Sequence, residues 1–177
     1  MPQSAALLIT KPIFAFGFII FISTIALSAA FISEGFLDLE PCILCIYQRY
    51  PFALAILIGI LGLTLKQNQR IIKPALILCA VNFIANSAIA FYHTGVEQKW
   101  WTSAVEGCSV PLFFQDNSEK SLLENLMSAP GGSCSEIPWQ DPLLGLSMAN
   151  YNIALCFGLF IFCMLTAFKV NVEKSSE

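Results

Sequence analysis

Four long stretches of the chain carry no charged side chain: Pro12 to Ser33, Tyr50 to Leu65, Pro74 to Val96 and Pro142 to Phe168. Three of them exceed the roughly 20 residues that cross the hydrocarbon core of a bilayer as a helix. The second holds only 16, or about 24 Å at about 1.5 Å per residue. A spanning helix there must start before Arg49, near Ile46. That sets the arginine at the boundary between hydrocarbon and headgroups, where its stem snorkels or its charge faces a ligand. The pattern predicts an all-α integral membrane protein, an antiparallel bundle of four transmembrane helices in one membrane domain. The expected helices are 12–33, 46–65, 74–96 and 144–168, with outer loops over 34–45 and 97–141. A secretory signal peptide competes for the first run, since Lys11 precedes it and Ser28-Ala29-Ala30 offers a cleavage site. Its apolar stretch, however, continues well past the roughly 7 to 15 residues of a signal core.

Polar and small residues inside the runs refine this picture. Ser23, Ala26, Ser28, Ala29 and Ala30 in the outer half of the first helix are of the kind that permits close helix approach. The link after the second helix is short enough to force an antiparallel neighbour. Pro74 suits a first helical turn, and Asn82 and Asn86, four apart, share a face directed into the bundle. In the long outer loop, Asp116 to Glu119 forms a capping pattern, and Leu122, Leu123, Leu126 and Met127 follow at helical spacing. A short amphipathic helix is expected there, ended by Pro130-Gly131-Gly132. Trp100, Trp101 and Trp139 read as interfacial anchors.

Composition agrees: 56% of the 177 residues are hydrophobic, 12% are charged, and the mean hydropathy is +0.71. A net charge of -3 without a basic patch gives no sign of nucleic-acid binding. Lysine and arginine set the orientation. Lys11, Lys66, Arg70, Lys73, Lys169 and Lys174 fall on one side, against Arg49, Lys99 and Lys120 on the other, so both termini are expected to be cytoplasmic. Four of the seven cysteines then lie in the outer loops, on the oxidising side.

Those four carry the candidate chemistry. In Pro41-Cys42-Ile43-Leu44-Cys45-Ile46-Tyr47-Gln48-Arg49-Tyr50-Pro51, the two cysteines and the arginine follow at i, i+3 and i+7 and line one helix face. A guanidinium one turn from Cys45, together with the free N–H groups of a helix N-terminus, favours a thiolate there. Cys108 and Cys134, 26 apart, suit a loop disulfide, and Gly107 and the 130–132 turn leave them open to approach. That pair reads either as a plain staple or as part of a redox circuit. A staple alone could not oxidise a strongly oxidising partner, a step of about 180 mV or about 8 kcal/mol uphill. The circuit needs an electron sink, for which a lipid quinone is at the right depth. Cys79, Cys156 and Cys163 fall inside helices and read as small packing residues. His93 lies at the depth of Arg49 and reads equally as a quinone contact or as an interface residue. A structural zinc knuckle at Cys42 and Cys45 would need two further ligands at close spacing.

The Pro41 to Arg49 motif, the Tyr92-His93-Thr94-Gly95-Val96-Glu97 exit with Trp100-Trp101, and the cysteines at 108 and 134 together resemble the DsbB family of disulfide bond formation proteins over essentially the whole chain. The resemblance implies an enzyme of the bacterial inner membrane that reoxidises a periplasmic DsbA-like thiol oxidase and passes the electrons to a quinone, ubiquinone or menaquinone, of the membrane pool. It implies Cys42, Cys45, Cys108 and Cys134 as redox residues, Arg49 at the quinone and, less specifically, His93. It implies an order: a partner thiolate attacks Cys108, Cys134 is released and attacks Cys42, and Cys45 leaves as a thiolate. A membrane protein that binds metal or haem through its outer cysteines and His93 is the alternative.

Overall fold

Each apolar run becomes a helix with a definable start. The structure, a computed structural model, describes residues 11–65, 68–105, 108 and 133–170. Helix α1 spans Pro12–Phe36 with the proline in its first turn; α2 spans Ile43–Thr64, α3 Gln69–Glu97 and α4 Met148–Lys169. Among the described residues these four are long and apolar enough to cross a membrane. Their outward faces carry Phe21, Ile25, Leu57, Leu61, Val81 and Leu165 exposed, surface that lipid would cover at little cost. The amphipathic helix expected over 116–127 and the 130–132 turn lie outside the described residues.

Four boundaries differ from expectation, each for a local reason; one is the start of α4, at Met148 rather than 144, where the Ser147 side chain caps the helix by accepting the Asn150 N–H. Helix α1 runs past Glu34 because that carboxylate has a cation to meet, the Arg49 guanidinium at 2.7 Å. Helix α2 starts at Ile43 because Cys42 caps it, the thiol sulfur accepting the Cys45 N–H at 3.3 Å. Helix α3 starts at Gln69 rather than at Pro74, with the Asn68 side chain accepting the Arg70 N–H as N-cap. Pro74 therefore sits inside the helix, where it deprives the Arg70 carbonyl of its usual donor.

The helices pack in chain order: α1 on α2, α2 on α3 and α3 on α4, while α1 and α4 barely touch. The core that joins them includes Phe16, Ile19, Phe52, Phe83, Leu159 and all three intrahelical cysteines. At the end away from Cys42, the tilted rings of Phe18 and Phe162, 4.9 Å apart, close the seam between α1 and α4. Toward Cys42 that seam stays open. Ala26, Ala29 and Ala30 line the resulting cavity, so these small residues leave room rather than draw a helix in. Close approach is made instead by α2, where a Cβ on Gly62 would fall 2.5 Å from the Phe16 ring and one on Gly59 would fall 2.6 Å from Ile20. The asparagines do turn inward: Asn82 Nδ2 donates to the Pro51 carbonyl at 2.8 Å and Asn86 Nδ2 to the Gln48 carbonyl at 3.3 Å.

Gly62→Ala is expected to destabilise the protein by about 1–3 kcal/mol through overpacking against Phe16. Thermal unfolding in detergent should show the loss, and Phe16→Leu added to it should recover part. A Gly62→Ala variant as stable as the parent would contradict this packing.

Candidate active site

The site is built where α2 begins. Cys42, as N-cap, lies outside the helix with extended backbone, and Cys45 is in the first turn, which brings the two sulfurs to 2.9 Å. Both are thiols, whereas Cys108 and Cys134 are joined as a disulfide with Cα atoms 4.9 Å apart. Cys42, Leu44, Val96, Cys108 and Cys134 form one buried cluster, so the two cysteine pairs are packed together. Cys108 and Cys134 are 1% and 0% exposed. This corrects the expectation of open approach, because flanking glycines say nothing of what packs over a sulfur. The Cys108 sulfur becomes reachable from outside only if this cluster loosens.

Helix α3 supplies His93 at its far end. The ring is buried, with Nε2 3.4 Å from the Cys42 sulfur and 3.7 Å from a Glu97 oxygen, and Nδ1 2.9 Å from Gln48 Nε2. The other Glu97 oxygen accepts the Ser147 hydroxyl at 2.5 Å, and the same hydroxyl caps α4 by accepting the Asn150 N–H. One serine thus fixes both the start of α4 and the carboxylate beside His93. The ring at Trp101 covers Gly95, where a Cβ would collide at once, and its N–H donates to the Tyr92 carbonyl. These contacts hold the end of α3 against the turn that leads to Cys108.

Arg49 and Cys45 both border the α1–α4 cavity, yet the guanidinium serves another partner. It pairs with Glu34 and lies 5.0 Å over the Phe31 ring. Among the described residues no hydrogen bond joins it to Cys45. The thiolate-favouring geometry falls on Cys42 instead. Its thiol is held well below the ordinary value, first by the hydrogen bond from the Cys45 thiol, then by His93 and the Cys45 N–H, all against the opposing effect of burial. The sequence puts Arg49 at the level of Cys45, with which it lines one cavity, but does not show Glu34, whose position depends on the last turn of α1.

Two cavities meet at the dithiol. The larger, about 480 Å³, lies in the open seam, with walls that include Leu27, Ala30, Phe52 and Leu155 and a polar end formed by Gln48, Arg49, His93 and Asn152. The smaller, about 280 Å³, is bordered by Asp38, Glu40, Cys42, Ser133 and Glu136. Cys45 and His93 border both. Within the bundle, Asn152 and Cys156 of α4 extend the polar contacts of Gln48. Amides inside an apolar run were the available signal for them.

Residues 12–166 match the family model described as disulfide bond formation protein DsbB. The chain belongs to the DsbB family. It is 27% identical to disulfide bond formation protein B of Pasteurella multocida over 89% of this chain and 86% of that one. It is 31% identical to disulfide bond formation protein B 2 of Pseudomonas aeruginosa over 71% and 70%. An uncharacterized protein of Rickettsia prowazekii is 32% identical over 88% of each. No solved structure matches it. As a DsbB-family member with four span-capable helices, it is a multi-pass membrane protein and a disulfide-forming oxidoreductase.

The depressed Cys42 thiol has a sign that can be checked. Its folded pKa lies below the unfolded thiol value of about 8.5, so its stabilising contribution is present above that value and is lost as pH falls toward the folded pKa. In reduced protein, the stability advantage over Cys42→Ser should grow from about pH 5 to about pH 8.5 and then level off. An advantage that shrinks over that range would contradict the assignment.

Proposed function

We propose that this protein is a thiol:quinone oxidoreductase of the bacterial inner membrane, with both termini cytoplasmic and its redox cysteines at the periplasmic face. It reoxidises a DsbA-like dithiol and delivers the electrons to a membrane quinone, ubiquinone or menaquinone. The observation that supports this most is the position of the Cys42–Cys45 dithiol between an apolar cavity in the helix seam and a polar cavity beside Cys134.

The electrons balance as follows. A partner thiolate attacks Cys108, the 108–134 bond breaks, and Cys134 leaves as a thiolate. With Cys42 and Cys45 oxidised, Cys134 attacks Cys42 and expels Cys45. The partner's second thiol resolves its own mixed disulfide and frees Cys108, which then attacks Cys134 and releases Cys42. The partner gains a disulfide, 108–134 is restored, and two electrons reside on the Cys42–Cys45 dithiol.

The larger cavity has the size and lining of a ligand site, mostly apolar with a few convergent polar groups. A quinone bound there would supply the two-electron acceptor. Arg49 would donate to it from the polar end, with Glu34 holding the guanidinium in place. Cys45 borders the same space, and His93 places a ring nitrogen, Nε2, beside Cys42. A metal-binding reading draws on the ligand atoms of Cys42, Cys45 and His93 lying within 4.8 Å of one another. Three donors fall short of the four of a structural zinc site, and metal analysis with a thiol count of the purified protein separates the readings.

Purified protein should reduce quinone when supplied with a reduced DsbA-type dithiol. Arg49→Ala should lose about 10²-fold to 10³-fold in that rate while still completing one round of disulfide exchange. Arg49→Lys, which keeps the charge but not the planar fork, should fall between. Normal quinone turnover by Arg49→Ala would remove Arg49 from the site, and consumption of thiol without quinone reduction would remove the quinone. A partner that lacks its second active-site cysteine should accumulate as an adduct on Cys108, and an adduct mapped to Cys134 would reverse the order of attack.

A further inference from the structure

Cys156 lies in the middle of α4, fully buried, and the redox sequence above has no use for it. It is nevertheless not surrounded only by apolar groups. Its sulfur is 3.3 Å from Asn86 Nδ2 and 3.1 Å from Asn152 Oδ1. The direction of these bonds can be worked out from one fixed point, the backbone carbonyl of Gln48, which can only accept. Asn86 turns its Nδ2 to that carbonyl, so the same nitrogen donates to the Cys156 sulfur. The Cys156 proton is then free for Asn152 Oδ1. Asn152 Nδ2 donates to Gln48 Oε1 at 2.6 Å, and Gln48 Nε2 is left to donate to His93 Nδ1 at 2.9 Å. Turning over either the Asn152 or the Gln48 amide alone would set two donors or two acceptors against each other, and turning over both would take from the buried Cys156 S–H its acceptor, Asn152 Oδ1.

A neutral imidazole whose Nδ1 accepts must carry its proton on Nε2, the nitrogen that faces Cys42. We infer that Cys156 is a positioning residue for the redox dithiol: acting through Asn152 and Gln48, its S–H holds His93 as the Nε2–H tautomer with that N–H directed at the Cys42 sulfur. The chain of bonds crosses three helices, from α3 through α4 and α2 and back to α3. Its effect is to present a donor to Cys42 when the dithiol is reduced, which favours the thiolate form of that sulfur. Besides Cys42, the charged or titratable groups at this nitrogen are Glu97 at 3.7 Å and, across the sulfur pair, Cys45. The inference rests on the reading of Cys42 as a redox thiol, but not on the identity of the quinone or of the partner.

The chain has a single histidine, so ¹⁵N-histidine labelling of the full-length reduced protein in detergent reports His93 alone. The expected spectrum shows a protonated Nε2 and an unprotonated, accepting Nδ1. Cys156→Ala should give a mixture of tautomers and slow the alkylation of Cys42 at neutral pH about tenfold, the equilibrium equivalent of weakening one hydrogen bond to a charged group. Cys156→Ser, whose hydroxyl both donates and accepts, should restore both signals. Gln48→Glu, which offers Nδ1 only acceptors, should move the proton onto Nδ1. A parent protein protonated at Nδ1 alone would overturn the inference, as would a Cys156→Ala variant with the parent spectrum and reactivity, or a serine variant no better than alanine. Should Cys156→Ala fail to fold, the parent spectrum and Gln48→Glu still decide. Neither quinone nor partner is in the sample, so failure here leaves the proposed function standing, and loss of quinone turnover would leave the tautomer assignment standing.

Discussion

A polar side chain inside an apolar bundle has to find its hydrogen-bond partner within the bundle, because lipid offers none. Around the start of α2, this chain places Gln48, Arg49, Asn86, His93, Glu97 and Asn152 together, and each makes a hydrogen bond to another helix or its cap, with Asn86 Oδ1 left unpaired. That requirement joins α1 to α2 through Glu34 and Arg49, α2 to α4 through Gln48 and Asn152, and α3 to α4 through Glu97 and Ser147. The Cys42 thiol sits at the edge of this set. Its surroundings are therefore fixed by the same bonds that fix the order of the helices.

The open seam between α1 and α4 is the other half of the arrangement. Three alanines on α1 and the sparse contact between α1 and α4 leave a space that larger side chains would have closed. The bulky residues that do meet across this seam, Phe18 and Phe162, do so at the opposite end. An apolar cavity thus runs up to Cys45 and ends against charged and amide groups. On the other side of the dithiol the lining turns acidic and leads to Ser133, beside Cys134.

Much of this was legible in the sequence. Uncharged run length alone predicted four helices, and the 16-residue second run placed Arg49 at the level of the cysteine pair. The inward direction of Asn82 and Asn86 followed from their spacing. What spacing along one helix could not show is which group on a neighbouring helix claims a side chain. Arg49 was assigned to Cys45 because they are one turn apart, whereas Glu34, 15 residues away in sequence, holds it. Cys156 read as packing for the same reason, since its partners are on α3 and one turn back on its own helix. The burial of Cys108 and Cys134 depends on tertiary packing that their flanking glycines do not encode.

The central claim is that a quinone takes its electrons in the α1–α4 cavity beside Cys45. Photolabelling of the purified protein with a light-activated quinone analogue, followed by mass-spectrometric mapping, tests it most directly. The account predicts labelling of cavity-wall residues such as Leu27, Ala30 and Leu155, suppressed by excess unmodified quinone. Labelling confined to lipid-facing residues such as Leu57 and Val81, or unaffected by competitor, would contradict it.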